Sequence, residues 1–381
     1  MKFVLYAHSV VSDWNNGNAH FLRGVLSDLE RRGHSTLVLE PEDGWSRANL
    51  IANHGTAPLG HFAATFPQLH VTTYGAGFDH AAALDGADVV IVHEWTPPDL
   101  VARIGRLRQT EGRFALLFHD THHRGVSESE TIEQLPLQDY DAVLAFGETL
   151  HRRYERLGWG RRVFTWHEAA DTSVFHPLLP EGPQKDLVWI GNWGDGERAQ
   201  ELHDFLIEPA RQAQLDGTVH GVRYPPEALD SLATTNLAYQ GWLANAAAPA
   251  CFAQHRMTIH VPRRPYVEAL PGIPTIRVFE ALACGIPLVS APWRDEEGLF
   301  RPGQDFLTAR DTAEMTQHLN AFRHDQDLAQ AIVASGLHRI RERHTCAHRV
   351  DELLAILTTI GATPGEMPRG TPKGTPTETA A

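Results

Sequence analysis

Short apolar runs recur along the chain, and most are followed by a polar turn and then by apolar residues three and four positions apart. The first run, residues 2–7, predicts a strand. Residues 21–33 predict an amphipathic helix ended by Gly33, and residues 35–40 a second strand. Between 41 and 86 the pattern weakens, with helical pieces at 45–51 and 58–66 and a strand at 69–73. Buried strands return at 87–92, 114–118, 141–146 and 162–166, with helices at 98–111 and 148–157 between them. Strands alternating with helices in this way predict a parallel sheet covered on both faces.

A polar stretch at 171–185, linker-like over 180–185, interrupts the series. It resumes with a strand at 187–190, the turn Gly191-Asn-Trp-Gly-Asp-Gly196, a helix at 197–214 and strands at 218–222 and 257–261. Helices at 312–322, 328–342 and 347–359 close it. The expected division is a first domain at 1–170, a hinge at 171–185, a second domain at 186–345 and a final helix within 346–360. Residues 361–381 are expected to be disordered, because Pro, Gly and Thr replace any apolar period there. A chain of 381 residues, 42% of them hydrophobic, suits two α/β domains of ordinary size.

Charge narrows the partners. The formal net charge is −14, from 33 Lys and Arg against 47 Asp and Glu. Nucleic acid is not expected as a partner, because polyanion binding draws on a basic surface that releases counterions. A local phosphate pocket remains open. Cys251, Cys284 and Cys346 have no paired spacing, which points to free thiols in a reducing cytoplasm. Residues 1–7 are too short for a signal-peptide core with its cleavage site, and no apolar run approaches a membrane span. The expected location is cytoplasmic, with no integral membrane segment.

The densest chemistry lies in Leu270-Pro-Gly-Ile-Pro-Thr-Ile-Arg-Val-Phe-Glu-Ala-Leu-Ala-Cys-Gly-Ile-Pro-Leu-Val-Ser290, which reads as loop, helix, turn and strand. Thr275 is expected to cap a helix that starts at Ile276, Gly285 to end it and Pro287 to block its continuation. Free N–H groups at the helix start, with Arg277 in the first turn and Gly272 and Pro274 upstream, suit a diphosphate. Glu280, one turn further in, can accept two hydrogen bonds from a ribose diol. The plain alternative is an ordinary crossover with a solvated Arg and Glu.

Ile276-Arg-Val-Phe-Glu-Ala-Leu-Ala-Cys-Gly-Ile-Pro-Leu-Val289 resembles the donor-nucleotide motif of GT-B glycosyltransferases, and most closely that of the spore-maturation (CgeB-like) branch. In the retaining GT-B enzymes this motif carries two glutamates eight positions apart; here the earlier position is Gly272. Trp14, Asn16, Gly17 and Ala19 resemble the Ser-Trp-Gly-Asn-Gly-His-Ala loop of the same branch, from which Asn15 and Asn18 depart. Asp171-Thr-Ser-Val-Phe-His-Pro177 resembles the family's hinge. The resemblance implies an α/β GT-B fold: two Rossmann-like domains with parallel sheets facing across a cleft, and a C-terminal helix that crosses back. It implies transfer of a hexosyl or related group from a nucleotide sugar, as co-substrate and with no cofactor, to an unidentified acceptor. A nucleotide-sugar epimerase on the same fold and a non-catalytic sugar-nucleotide or polysaccharide-binding protein are the alternatives.

The expected donor site comprises Gly272, Pro274, Thr275, Ile276, Arg277 and Glu280, with Gly191, Asn192 and Arg263. The acceptor side and cleft comprise Asp13, Asn16, Gly17, Asn18 and His20, with His167 and Glu168 where the chain crosses. Ligands in open parallel sheets sit beyond the carboxyl ends of strands, where His93, Glu94, His119 and Asp120 fall. His119-Asp120 resembles the pair that many retaining enzymes place under the donor sugar, and Glu94 completes the catalytic candidates. An inverting reaction would instead need a base, for which Asp13, His20 or Glu94 would serve. Plainer roles stand beside these: His119 as a strand cap, His167 and Glu168 as hinge braces.

Among 23 histidines, His119, His122 and His123 cluster, and Asp120 and Glu94 could complete a mixed metal site. The spacing lacks the two histidines one helical turn apart of a zinc helix. The expected reaction is therefore metal-independent, with the helix end and Arg277, joined by Arg263 or Arg264, neutralising the leaving diphosphate.

Overall fold

The computed structural model describes residues 1–110, 113–194 and 196–362; most of the tail expected to be disordered lies outside the described residues. Strands β1 (Lys2–Tyr6), β2 (Ser35–Pro41), β3 (Val71–Tyr74), β4 (Val89–His93), β5 (Ala115–Asp120), β6 (Ala142–Ala145) and β7 (Val163–Thr165) make one sheet in the order 3-2-1-4-5-6-7. Strands β8 (Lys185–Ile190), β9 (Asp216–His220), β10 (Asn236–Gly241), β11 (His255–His260), β12 (Leu288–Ser290) and β13 (Leu307–Thr308) make the other, in the order 10-9-8-11-12-13. The ladders pair in parallel throughout. These are two Rossmann-like domains facing across a cleft, as pattern and resemblance implied.

In each sheet the strand order reverses beside the first strand, at β1/β4 and at β8/β11. Successive crossovers leave in opposite directions there, and the loops at the carboxyl ends of those strands part to form a crevice. Both crevices open on the shared cleft. Alternation drives the layers: Phe3 and Leu5 pack on one face of the first sheet, Val4 and Tyr6 on the other. The face bearing Phe3 and Leu5 shares one continuous core with Val188, Ile190 and Leu288 of the second sheet.

The last helix, Cys346–Thr359, crosses back onto the first helix, Ala19–Arg31. Trp166 Nε1 donates to the Arg349 carbonyl at 2.8 Å, and Arg32 pairs with Asp351 at 2.5 Å. The hinge joins in, since Ala170 exchanges backbone hydrogen bonds with His344 and Cys346, each 2.9 Å long.

Two local expectations change. The single helix expected at 197–214 is broken into Ala199–Leu202, a π-helical turn His203–Ile207 and Glu208–Gln212. Pro209 has no N–H to donate to the preceding turn, which favours a wider turn ahead of it. Strand β10 had no apolar signature because it lies at a sheet edge, where only Leu237 is buried. Among the described residues no helix is long and apolar enough to cross a membrane.

Gly24 marks how closely the bracing helix docks. A Cβ there would lie 2.5 Å from Cys346 Sγ and 2.7 Å from Asp171 Cβ. Gly24→Ala should therefore destabilise the protein by about 1–3 kcal/mol through overpacking. Denaturant unfolding checks this, and a variant as stable as the parent would show that the helix yields.

Candidate active site

The loop after β1 is shaped from within. Glu40 at the end of β2 accepts from the backbone N–H groups of Val10 and Val11 and from Ser9 Oγ. Arg23 of the first helix donates to the Val10 carbonyl at 2.6 Å and pairs with Asp13 at 2.9 Å. Asn16 turns inward to the carbonyls of Ser9 and Ser12, at 2.7 and 3.1 Å. Gly17 then comes so close to the second domain that a Cβ would stand 3.1 Å from Ile276 Cγ2. Asn18 Nδ2 donates to Glu168 Oε1 at 2.8 Å, tying the loop to the hinge.

The opposite wall is built by the ends of β8 and β11 and by the helix Ile276–Cys284. Thr275 occupies the N-cap position but does not cap by its side chain; its Oγ1 is 3.1 Å from His260 Nε2. Spending the hydroxyl on His260 removes its claim on the N–H groups of the first turn. Gly285 ends the helix in the left-handed conformation expected of it. Arg277 lines the cleft and pairs with Glu280 behind it. Gly191 and Asn192 line the cleft at the end of β8, and Asn192 Nδ2 donates across it to Asn15 Oδ1. Arg263 lines it too, held by Glu197 at 2.7 Å.

Together these walls enclose about 630 Å³. Asp13, Asn16, Gly17, Asn18, Glu168, Gly191, Asn192, Arg263, Thr275, Ile276 and Arg277 reach its surface. Behind it stand His20, His167, Gly272, Pro274, Glu280, Glu94, His119 and Asp120, which do not line the space. Gly272 shapes the approach to the helix with φ 92° and an N–H donated to the Arg294 carbonyl at 2.8 Å. His167 bridges the domains to Glu297 at 2.6 Å.

Glu280 is fully buried and already satisfied. Asn245 donates to its Oε1 at 2.8 Å, His20 Nδ1 lies 3.1 Å from that oxygen, and Arg277 holds Oε2. Burial pushes its pKa up, but Arg277 and His20 outweigh burial and hold the carboxyl below its ordinary range. The Asp171 N–H donates to His20 Nε2 at 2.8 Å, which leaves the other ring nitrogen to carry hydrogen toward Glu280.

His119 and Asp120 point to opposite faces of β5, as neighbours in a strand must. The His119 ring sits 4.8 Å from Trp166 and 5.5 Å from His93, and neither ring nitrogen has a hydrogen-bond partner. Burial, then His93, lowers its pKa well below the ordinary histidine value, so it is neutral. Asp120 accepts from Tyr154 Oη at 2.7 Å and from the His122 N–H at 3.1 Å. Burial, then Glu94, raises its carboxyl. Glu94 itself accepts from Thr121 at 3.2 Å and lies 2.9 Å from His93 Nδ1. His122 and His123 do reach the cleft, their ring centroids 3.9 Å apart, with His123 3.6 Å from Glu197. Among the described residues no three His, Cys, Asp or Glu side chains converge as a metal-ligand set.

Several cleft residues escaped the sequence reading. Arg198 is buried, donates to the carbonyls of Val261 (2.9 Å) and Asn192 (2.6 Å), and lies over the Trp189 ring. Burial, then Arg263, lowers its pKa to about 9. Burial, followed by Arg198 and Arg277, lowers His260 to about 3. Only the polar turn at 191–196 signalled Arg198. Trp242 was legible as a core or cleft-lining tryptophan, but its pairing and Asn245 gave no local signal, because the partner is more than two hundred positions away: Trp242 Nε1 and the Asn245 N–H both donate to Asp13, at 3.1 Å.

Residues 198–355 match a protein family described as glycosyl transferase-like. Among solved structures, a glycosyltransferase from Rickettsia africae ESF-5 is similar at 11% identity and a TM-score of 0.65, covering 94% of this chain and 98% of its own. Anabaena Alr3699/HepE in complex with UDP and glucose is similar at 13% identity and a TM-score of 0.68, over 94% and 100% of the two chains. T4 phage BGT in complex with UDP and Mn2+ is similar at 11% identity and a TM-score of 0.61, over 94% and 99%. No curated protein matches the chain in sequence. The shared two-domain arrangement is the GT-B fold.

Glu168 gives the site a titration of its own. Burial, opposed by the Asn18 hydrogen bond and reinforced by Glu280 and Glu94, pushes its carboxyl from 4.5 up to about 8. Between those values the folded protein holds a proton that the unfolded chain has lost, so stability falls as pH rises through the window. Glu168→Gln keeps the shape and removes the titration. The variant should gain stability relative to the parent as pH rises from about 5 to about 8. Urea unfolding across that range checks it, and parallel pH profiles for the two proteins would refute the shifted carboxyl.

Proposed function

We infer that this chain is a glycosyltransferase that moves a sugar from a nucleotide-activated donor to an acceptor bound on the first-domain side of the cleft. One observation carries the reading: Arg198, Arg263 and Arg277 converge with the start of the helix Ile276–Cys284 on one wall of the cleft. Burial chiefly lowers the pKa values of Arg198 and His260, and the neighbouring arginines lower them further. An anion of two phosphates relieves the field of these arginines. As the bond between sugar and diphosphate breaks, negative charge grows on the leaving oxygen, and fixed cations with free N–H groups stabilise it without reorganisation. The same wall falls within the residues that match the glycosyl transferase-like family.

UDP accompanies several of the similar structures, so a uridine diphosphate sugar is the donor we propose. Glu280 orients Arg277, and one of its oxygens meets the ribose if Asn245 releases it. Asp13 and Glu168 are the carboxyls on the acceptor side, with Glu94, His119 and Asp120 shaping that wall from beneath. Within the family we assign the chain to the CgeB-like branch, acting in the cytoplasm and without a metal.

Two outcomes follow. Arg277→Ala should weaken UDP binding by about tenfold or more, about 1.4 kcal/mol. His119→Ala, in the other domain, should keep UDP affinity within about threefold while lowering kcat/KM by about tenfold or more. Calorimetry with UDP and turnover of UDP-glucose, on variants confirmed as folded, separate the two; equal losses of UDP affinity would end this division of roles.

Chelation tests the metal assignment. Activity should persist in EDTA, because arginines and the helix end supply the positive field. Loss in EDTA restored by a divalent ion would return the catalytic role to a metal.

A further inference from the structure

A second cavity, of about 320 Å³, opens beside the cleft, and the donor chemistry makes no use of it. Its walls are the helices Trp45–His54 and Ala57–Thr65 of the first domain and residues 242–246 of the second. Val11, Leu50, Phe62, Phe66, Ala244 and Ala246 give it an apolar lining. Asp13 and Trp242 line both spaces, so the cavity communicates with the cleft at that pair.

The charges inside it are already matched. Arg23 pairs with Asp13, donates to two backbone carbonyls, and lies 5.2 and 5.3 Å from the ring centroids of Phe62 and Phe66. Asp13 also accepts from Trp242 Nε1 and from the Asn245 N–H, both at 3.1 Å. The remaining polar lining, His54, His61 and Thr65, is exposed, and a saccharide or polyanion seated deeper, against the apolar walls, would lose hydration without replacement. An apolar skeleton would gain by leaving water, roughly in proportion to the area it buries. The volume lies within the range of about 300–1,000 Å³ that small-molecule sites occupy.

We propose that this cavity seats the apolar carbon skeleton of the acceptor, whose hydroxyl emerges beside the hydrogen-bonded Asp13–Trp242 pair into the cleft. The acceptor class is then an alcohol or phenol on a hydrophobic body, in place of a sugar chain or nucleic acid. The assignment rests on the transferase reading for the hydroxyl, though not for the seat itself. Because both domains contribute walls, the seat is complete only while they are closed together.

The test uses the full-length protein with 4-methylumbelliferone and n-decanol as apolar hydroxyl probes, methyl α-glucoside as the polar one, and UDP-glucose as donor. Ala246→Phe fills the cavity; Thr65→Glu places a charge at its exposed mouth without touching the core. At least one apolar probe should bind the UDP-loaded protein, and each variant should weaken that binding by about tenfold or more while UDP affinity stays within about threefold. The same probe should be glycosylated with a kcat/KM at least about tenfold above that of methyl α-glucoside. The proposal is overturned if neither apolar probe binds, or if both variants bind it as the parent does. Preferred transfer to methyl α-glucoside that survives Ala246→Phe overturns it as well. Apolar binding lost in the variants, with UDP-glucose left unconsumed, supports the seat and counts against the transferase reading alone.

Discussion

A carboxylate buried at the meeting of two domains is the constraint around which this molecule is arranged. Glu280 is shut off from solvent, and an ion in that position costs several kcal/mol unless charge and hydrogen bonds answer it. The answers come from three places: Arg277 on its own helix, Asn245 on a neighbouring loop, and His20 in the other domain. His20 is fixed in turn by the Asp171 N–H of the hinge, and the Asn245 N–H reaches Asp13. One polar chain therefore links the helix Ile276–Cys284, the hinge and the loop after β1. Pulling the domains apart would cost Glu280 its contact with His20, and Asp13 its contacts with Trp242 and Asn245.

That linkage gives the cleft two different walls. The second-domain wall carries three arginines, Arg198 held by carbonyls behind the surface and Arg263 by Glu197, which itself reaches the cleft. The first-domain wall offers carboxyls, and burial makes one of them, Glu168, neutral around neutral pH. The transfer proposed for this cleft would need such different surroundings for leaving group and nucleophile, and the fold supplies them by facing two switch points across one space. Thr275 and Asn16 show a quieter side of this design. Both look like ligand groups in a motif, yet both turn to support the frame, Thr275 through His260 and Asn16 through the loop carbonyls.

How far the residues alone reached differs by region. Runs such as 87–92 and 114–118 announced their strands because central parallel strands are apolar on both faces, whatever surrounds them. The helix from Ile276 to Gly285 was legible for a local reason too, since a left-handed glycine and a following proline stop a helix in any context. Strand β10 was silent because an edge strand buries little. The π-helical turn was silent because apolar spacing registers a helix but not its pitch.

The chain's local chemistry by itself determined two α/β domains, the position of the helix Ile276–Cys284 and the residue types gathered near strand ends. Those properties depend on neighbours a few positions away. The tertiary structure alone decided which side chains share the cleft. It buried Glu280, His119 and Asp120 behind the wall and set the buried Arg198 against the cleft. It also joined Asp13 to Trp242 across more than two hundred residues. Burial and long-range pairing arise only when segments distant in sequence pack together, within a domain for His119 and Asp120 and between domains for Glu280, and no local periodicity records the partner's shape.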